Sequence, residues 1–311
     1  MKLKLLASAA LAVSMAFAAS ADVSDKQIIF DHPEASKEIA AQSDLESLFG
    51  ADTPDFSGRF LQESRIEQDG RANEANVDQI NSDEGLAQIR QDGRRNGASI
   101  AQGDFRPTAA PFQSPTNIAV IDQAGANNNA STYQDYLRGP EDTNIVEIHQ
   151  VSSRQNGASD ANNARSEQLG SGNSVLINQD GNDFFSGAVR SDATAVQHGS
   201  GHVSTIDQSG ADNIAISRQE GEGNNSLIDQ DGYGGAANYA AVGQYGNYNT
   251  AYVGQTGEGN IAEVDQFSDE NFAGIDQNGW GNEAYIVQAY GDLNASFISQ
   301  SGTDNYASSA Q

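Results

Sequence analysis

The side chains with the clearest chemical spacing in this 311-residue sequence are carboxamides, and the chemistry they offer is hydrogen bonding in rows. Gln197, Gln208, Gln219 and Gln230 are each eleven residues apart, as are Gln244, Gln255, Gln266, Gln277 and Gln288, and again Gln300 and Gln311. Earlier pairs keep the interval: Gln68 and Gln79, Gln91 and Gln102, Gln123 and Gln134, Gln168 and Gln179. With Gln150, which stands between insertions, this makes twenty units, and sixteen of them carry asparagine six residues before the glutamine. The positions read as self-assembly ladders are Asn73 with Gln79, Asn96 with Gln102, Asn117 with Gln123, Asn128 with Gln134, Asn162 with Gln168, Asn173 with Gln179 and Asn213 with Gln219. They continue as Asn224 with Gln230, Asn249 with Gln255, Asn260 with Gln266, Asn271 with Gln277, Asn282 with Gln288, Asn294 with Gln300 and Asn305 with Gln311. A lone buried amide costs ~2 to 7 kcal/mol, but like amides stacked at strand spacing donate and accept along the stack.

Other reactive constellations are weaker. His198 and His202 have a metal spacing for a helix, yet Gly199 and Gly201 between them predict a turn, so no metal site is assigned. Asp69-Gly70, Asp92-Gly93, Asp180-Gly181 and Asp231-Gly232 read as turns, and the nonapeptide calcium pattern is missing. Carboxylates are plentiful, but none interrupts the repeat in a distinctive way. The chain therefore reads as non-enzymatic, with no catalytic residue and no cofactor.

The elements that must position the amides follow from parity. In Asn260-Ile261-Ala262-Glu263-Val264-Asp265-Gln266, a strand of period two sends Asn260, Ala262, Val264 and Gln266 to one face and the other three to the opposite face. Thirteen of the nineteen units with a residue at that offset place glycine two after the glutamine, where a turn needs positive φ. Recurrent glycine and central β-branched residues disfavour a helix. All six prolines, at positions 33, 54, 107, 111, 115 and 140, fall before the repeats or in the insertions. One unit is too short to bury its face, whereas two back to back make a rung with a thin Ala/Ile/Val core. The expected fold is an all-β solenoid of about ten strand-turn-strand rungs, stacked ~4.8 Å apart over roughly 50 Å. Insertions after Gln102, Gln134, Gln150, Gln179 and Gln230 are expected to bulge without breaking the stack.

Lys2 and Lys4, the apolar run from Leu5 to Ala18 and Ala19-Ser20-Ala21 read as a signal peptide over 1–21, too short for a membrane span. The exported chain would carry 14 basic and 43 acidic groups, a formal charge of −29, which excludes nucleic acid as a partner. Such charge opposes self-association unless salt, divalent cations or acid relieve it. Outward Asp207, Asp229, Asp265 and Asp276 are the residues expected to repel. Without cysteine there is no disulfide framework, so stability must come from the repeat. Residues 22–61 lack the repeat; Pro33 and the stretch from Glu34 predict a helix start, with Leu45, Leu48 and Phe49 on an apolar stripe. The repeat solenoid is expected over 62–311.

A solenoid rung without a cap offers unpaired strand edges to another chain. The last unit, from Asn305 to Gln311, is a regular repeat, so the sequence predicts an open edge and heterologous, non-closing cross-β addition of further copies.

The units resemble curlin repeats, whose pattern is Ser-x5-Gln-x-Gly-x2-Asn-x-Ala-x3-Gln. Gln208, Gly210, Asn213, Ala215 and Gln219 match all of it except the serine, as do Gln255, Gly257, Asn260, Ala262 and Gln266, and Gln277, Gly279, Asn282, Ala284 and Gln288. The resemblance covers roughly residues 62 to 311 and implies a functional amyloid of the cell surface. It further implies a homopolymeric extracellular fibre for adhesion and biofilm, an outer-membrane secretion pore and a nucleator subunit. The regular last unit favours a major-type subunit; a nucleator and a soluble monomeric solenoid adhesin are the alternatives. The chain departs from the family's usual form in its larger number of repeats, its insertions and its acidic N-terminal segment.

Overall fold

The structure is a computed structural model, described over residues 62–80, 85–103, 117–135, 143–152, 161–181, 190–233 and 235–311. The expected signal peptide, the segment 22–61, all six prolines and the insertion 104–116 lie outside these residues.

Every described element is a strand. One sheet holds β1 (Gln62–Arg71), β3 (Gly85–Arg94), β5 (Asn117–Ala126), β7 (Asn144–Ser152), β9 (Ser174–Gly181), β11 (Val203–Gly210), β13 (Asn225–Gly232), β15 (Thr250–Glu258), β17 (Phe272–Trp280) and β19 (Ala295–Thr303). The other holds β2 (Glu74–Ile80), β4 (Gly97–Gly103), β6 (Asn129–Asp135), β8 (Asn163–Ser171), β10 (Asp192–Ser200), β12 (Ile214–Glu222), β14 (Tyr239–Gln244), β16 (Ile261–Gln266), β18 (Glu283–Gln288) and β20 (Tyr306–Ala310). Both sheets are ten-stranded and parallel, in strict odd or even order, so each odd strand and the even strand after it form one rung of a β-solenoid. The insertions do not shift this register. Gln91 faces Gln123 across the first of them, and Gln102 faces Gln134.

Parity works as the strand period requires. Along β16, Ala262, Val264 and Gln266 are buried while Ile261, Glu263 and Asp265 are half-buried. The core between the sheets has two columns of side chains. In one, an isoleucine or valine of the first sheet lies beside an alanine of the second, as with Ile89 and Ala98, Ile177 and Ala193, and Val253 and Ala262, all buried. In the other column the large partner changes sides: Ala87 with Ile100, Val175 with Ala195, Ala273 with Ile286. One large and one small side chain per layer keep the sheets at constant separation. Burying an isoleucine contributes roughly 1.5–3 kcal/mol, so a rung with one or two such residues needs its amides satisfied as well.

Candidate functional site: the amide ladders

The repeated glutamines form two unbroken rows inside the solenoid. In the first sheet Gln68, Gln91, Gln123, Gln150, Gln179, Gln208, Gln230, Gln255, Gln277 and Gln300 are joined in sequence by side-chain hydrogen bonds of 2.6 to 2.9 Å. In the second, Gln79, Gln102, Gln134, Gln168, Gln197, Gln219, Gln244, Gln266, Gln288 and Gln311 are joined at 2.7 to 3.0 Å. In every link the Nε2 of the earlier rung donates to the Oε1 of the later one. The second amide hydrogen crosses the core to a strand-start carbonyl: Gln255 donates to the Tyr239 carbonyl at 2.9 Å, Gln266 to Thr250 at 3.2 Å and Gln277 to Ile261 at 2.9 Å. A mid-column glutamine thus accepts once and donates twice, which removes the penalty for burying it.

Asparagine acts differently. Its Oδ1 accepts the backbone N–H of the asparagine one rung later, as from Asn128 to Asn96 at 3.0 Å, Asn271 to Asn249 at 2.9 Å and Asn294 to Asn271 at 3.0 Å. Its Nδ2 donates to carbonyls of the turn before it and of the next rung's glycine: Asn224 reaches Glu220 at 2.9 Å and Gly246 at 2.7 Å. Asn282 reaches Gly302 at 3.1 Å, and Asn213 reaches Ser209 at 2.7 Å. Direct asparagine-to-asparagine side-chain bonds also occur, such as Asn305 to Asn282 at 2.8 Å and Asn144 to Asn117 at 3.1 Å. The asparagines clamp turns between rungs, while the glutamines tie the strands.

All the paired positions read from the sequence lie in the described residues, the asparagines at or just before the start of a strand and the glutamines in its later part or, for Gln311, just after it. Asn73 bonds the Asp69 and Gly93 carbonyls, Asn162 the Val151 carbonyl, and Asn173 accepts the backbone N–H of His202. The rows also take in Asn144 and Asn238, whose units are separated by insertions. His202, which the sequence places only in a turn, has a place in the row that its residue type did not signal. It occupies the asparagine position, fully buried, and its Nδ1 accepts the Asn224 N–H at 3.2 Å while Nε2 bonds the His198 carbonyl at 3.2 Å. A neutral imidazole supplies the same acceptor-and-donor pair as a carboxamide, so the residue serves the turn. Among the described residues no group of three His, Asp or Glu is placed to hold a metal ion.

Outward carboxylates stack in places. Asp207 is in register with Asp229, and Asp229 and Asp276 flank Gly254. A side chain at Gly254 would meet the Tyr252 hydroxyphenyl ring, which folds across that glycine. Burial, then Asp229 and Asp276, push the Tyr252 phenol well above its usual range. Burial also raises the carboxyls of Asp276 and Asp265, the latter helped by Glu263. On the other sheet Tyr245 stacks on Phe267 with ring centroids 5.2 Å apart, and Arg218 sits over Tyr245 at 5.8 Å.

Two parallel sheets wound as rungs, with glutamine rows along both, define a β-solenoid of the amide-ladder type. The family model for the curlin associated repeat matches residues 235–267 and 269–302, which contain β14 to β18 and most of β19, so this part of the solenoid is similar to curlin associated repeats. No curated protein matches it. Curlin-family proteins are secreted, structural subunits of amyloid-type fibres.

Proposed function

We propose that the protein is a major-type subunit of an extracellular amyloid fibre that supports adhesion and a biofilm matrix. Copies add end to end, with β1 and β2 of one copy stacking on β19 and β20 of another. The observation that carries this reading is the uniform sense of the glutamine rows. The edge rung of β19 and β20 leaves one hydrogen of Gln300 and of Gln311 directed along the row, while Gln68 and Gln79 at the opposite edge present carbonyl oxygens. Donor edge and acceptor edge are complementary, so the same two bonds per rung continue across a junction. Addition of this kind is heterologous and does not close.

In the same reading residues 1–21 direct export, 22–61 serve passage through an outer-membrane pore, and a nucleator starts the fibre. The regular Asn305 and Gln311, which continue the asparagine and glutamine rows of the second sheet, favour the major subunit over the nucleator. The test is incubation of purified mature chain, followed by thioflavin fluorescence and fibre diffraction. A meridional reflection near ~4.7 Å is expected. Chains that stay dispersed and dark to thioflavin after prolonged incubation refute polymerisation.

A further inference from the structure

The sixth rung, formed by β11 and β12, breaks the large-with-small rule of the core. In the variable column its two members are Ser204 and Ser217, 1% and 0% exposed. The chain runs up one sheet and back down the other, and Gln219 reaches the Val203 carbonyl at 2.9 Å, which sets Ser217 across the core from Ser204. Adjacent rungs fill the same column with Val175 and Ala195 on one side and with Ser226 and Val242 on the other. Ser226 is in register with Ser204, and Ser217 with Val242. Ser204, Ser217 and Ser226 therefore share one core column in neighbouring positions, and none of their buried hydroxyls makes a hydrogen bond to another protein group.

We infer that this rung holds a structural water bridging the three serine hydroxyls. Two facts require it together. Two serines occupy less volume than the valine with alanine or serine that spans the column in neighbouring rungs, and interiors keep constant packing density. Buried hydroxyls left unpaired are costly, and space lined by polar groups takes up water where space lined by aliphatic groups stays dry. A site with three hydroxyls supplies the two to four partners that buried waters use. Thr132 is the contrast. Its hydroxyl is also unpaired, but threonine fills the column as valine would, beside Ala119.

The sign of a substitution separates a hydrated from a dry rung. In freshly dissolved, monomeric mature chain, Ser217→Ala removes a partner of the water and lowers the urea midpoint. Ser217→Val fills the space, displaces the water and raises the midpoint. Oxygen-17 magnetic relaxation counts one fewer long-lived water in Ser217→Val than in the unsubstituted chain. A midpoint that rises in Ser217→Ala overturns the inference, because the lone hydroxyl was then a burden in a dry core. An unchanged count of long-lived waters in Ser217→Val overturns it as well. Neither measurement depends on fibre formation, so failure here leaves the proposed polymerisation standing.

Discussion

Gly302→Ala places one methyl group at the proposed junction between copies. In ten units the glycine two residues after the ladder glutamine sits at positive φ, and in all of these before the last the next rung presses against it. At Gly279, φ is 130°, and an added Cβ would lie 2.8 Å from the Gly302 carbonyl carbon and nearer still to its oxygen. Gly302 has nearly the same backbone, with φ 117°, but its Cβ would meet only the Asn305 Nδ2, at 3.4 Å. Within one chain the substitution therefore brings backbone strain alone, about 1–2 kcal/mol. When β1 of a second copy stacks on β19, the carbonyl of its Gly70 occupies the place that Gly302 holds over Gly279, and the methyl collides with it. Overpacking of about 1–3 kcal/mol at each junction raises the monomer concentration left at equilibrium roughly 5- to 150-fold. The assay seeds Gly302→Ala monomer with wild-type fibre fragments and measures the soluble protein at plateau, with circular dichroism and a urea midpoint to verify the monomer. Gly279→Ala is the companion, expected to damage the monomer itself by strain and collision together. Wild-type residual monomer and seeded rate in Gly302→Ala would refute stacking of β1 on β19, whatever else makes the fibre.

Three further outcomes are expected. Thr132→Val removes an unpaired buried hydroxyl at constant volume and should stabilise the monomer by about 1 kcal/mol in urea unfolding. Gln266→Ala strands the Nε2 of Gln244 and the Oε1 of Gln288 and opens space in the row, so a loss of roughly 2–5 kcal/mol is expected from the same measurement. Because burial raises the folded-state pKa of Asp276 above 3.8, its ionised form disfavours the fold above that raised pKa, and the penalty is relieved as pH falls through it. Acidification from neutral should raise the urea midpoint and shorten the fibrillation lag, and Asp276→Asn should raise the neutral-pH midpoint while flattening that part of the pH dependence.

The fold was legible because its two periods are separable in one dimension. The eleven-residue interval gave the rung, and parity between Asn260 and Gln266 gave the inward face, since a strand permits only two faces. Glutamine rows followed from register, because identical residues at identical offsets must superpose. The distinct part played by asparagine was not legible. Asn224 and Gln230 are chemically alike, and only the shorter side chain beside a turn decides that one meets backbone while the other meets its own kind. His202 was hidden for the same reason: its value lies in an acceptor and a donor facing opposite ways, which residue type alone does not reveal beside Gly201. The second duty of the turn glycines, leaving room for the rung above, also belongs to the stack and to no single repeat. The serine-with-serine layer at Ser204 and Ser217 was readable residue by residue, but the pairing across the core had to be seen before it meant anything.

Each glutamine row is also a line of aligned bond dipoles. Peptide-like amides carry about 3.5 D apiece, and in an α-helix such alignment leaves partial charges at the termini. Here twenty side chains point their N–H groups the same way while parallel backbone dipoles largely cancel. A column therefore has an electrically positive tip at β19 and β20 and a negative one at β1 and β2. Concatenation adds these moments without reversing any of them, so a long thread would turn in an applied field as a single rod, and its two tips would attract counter-ions of unlike sign.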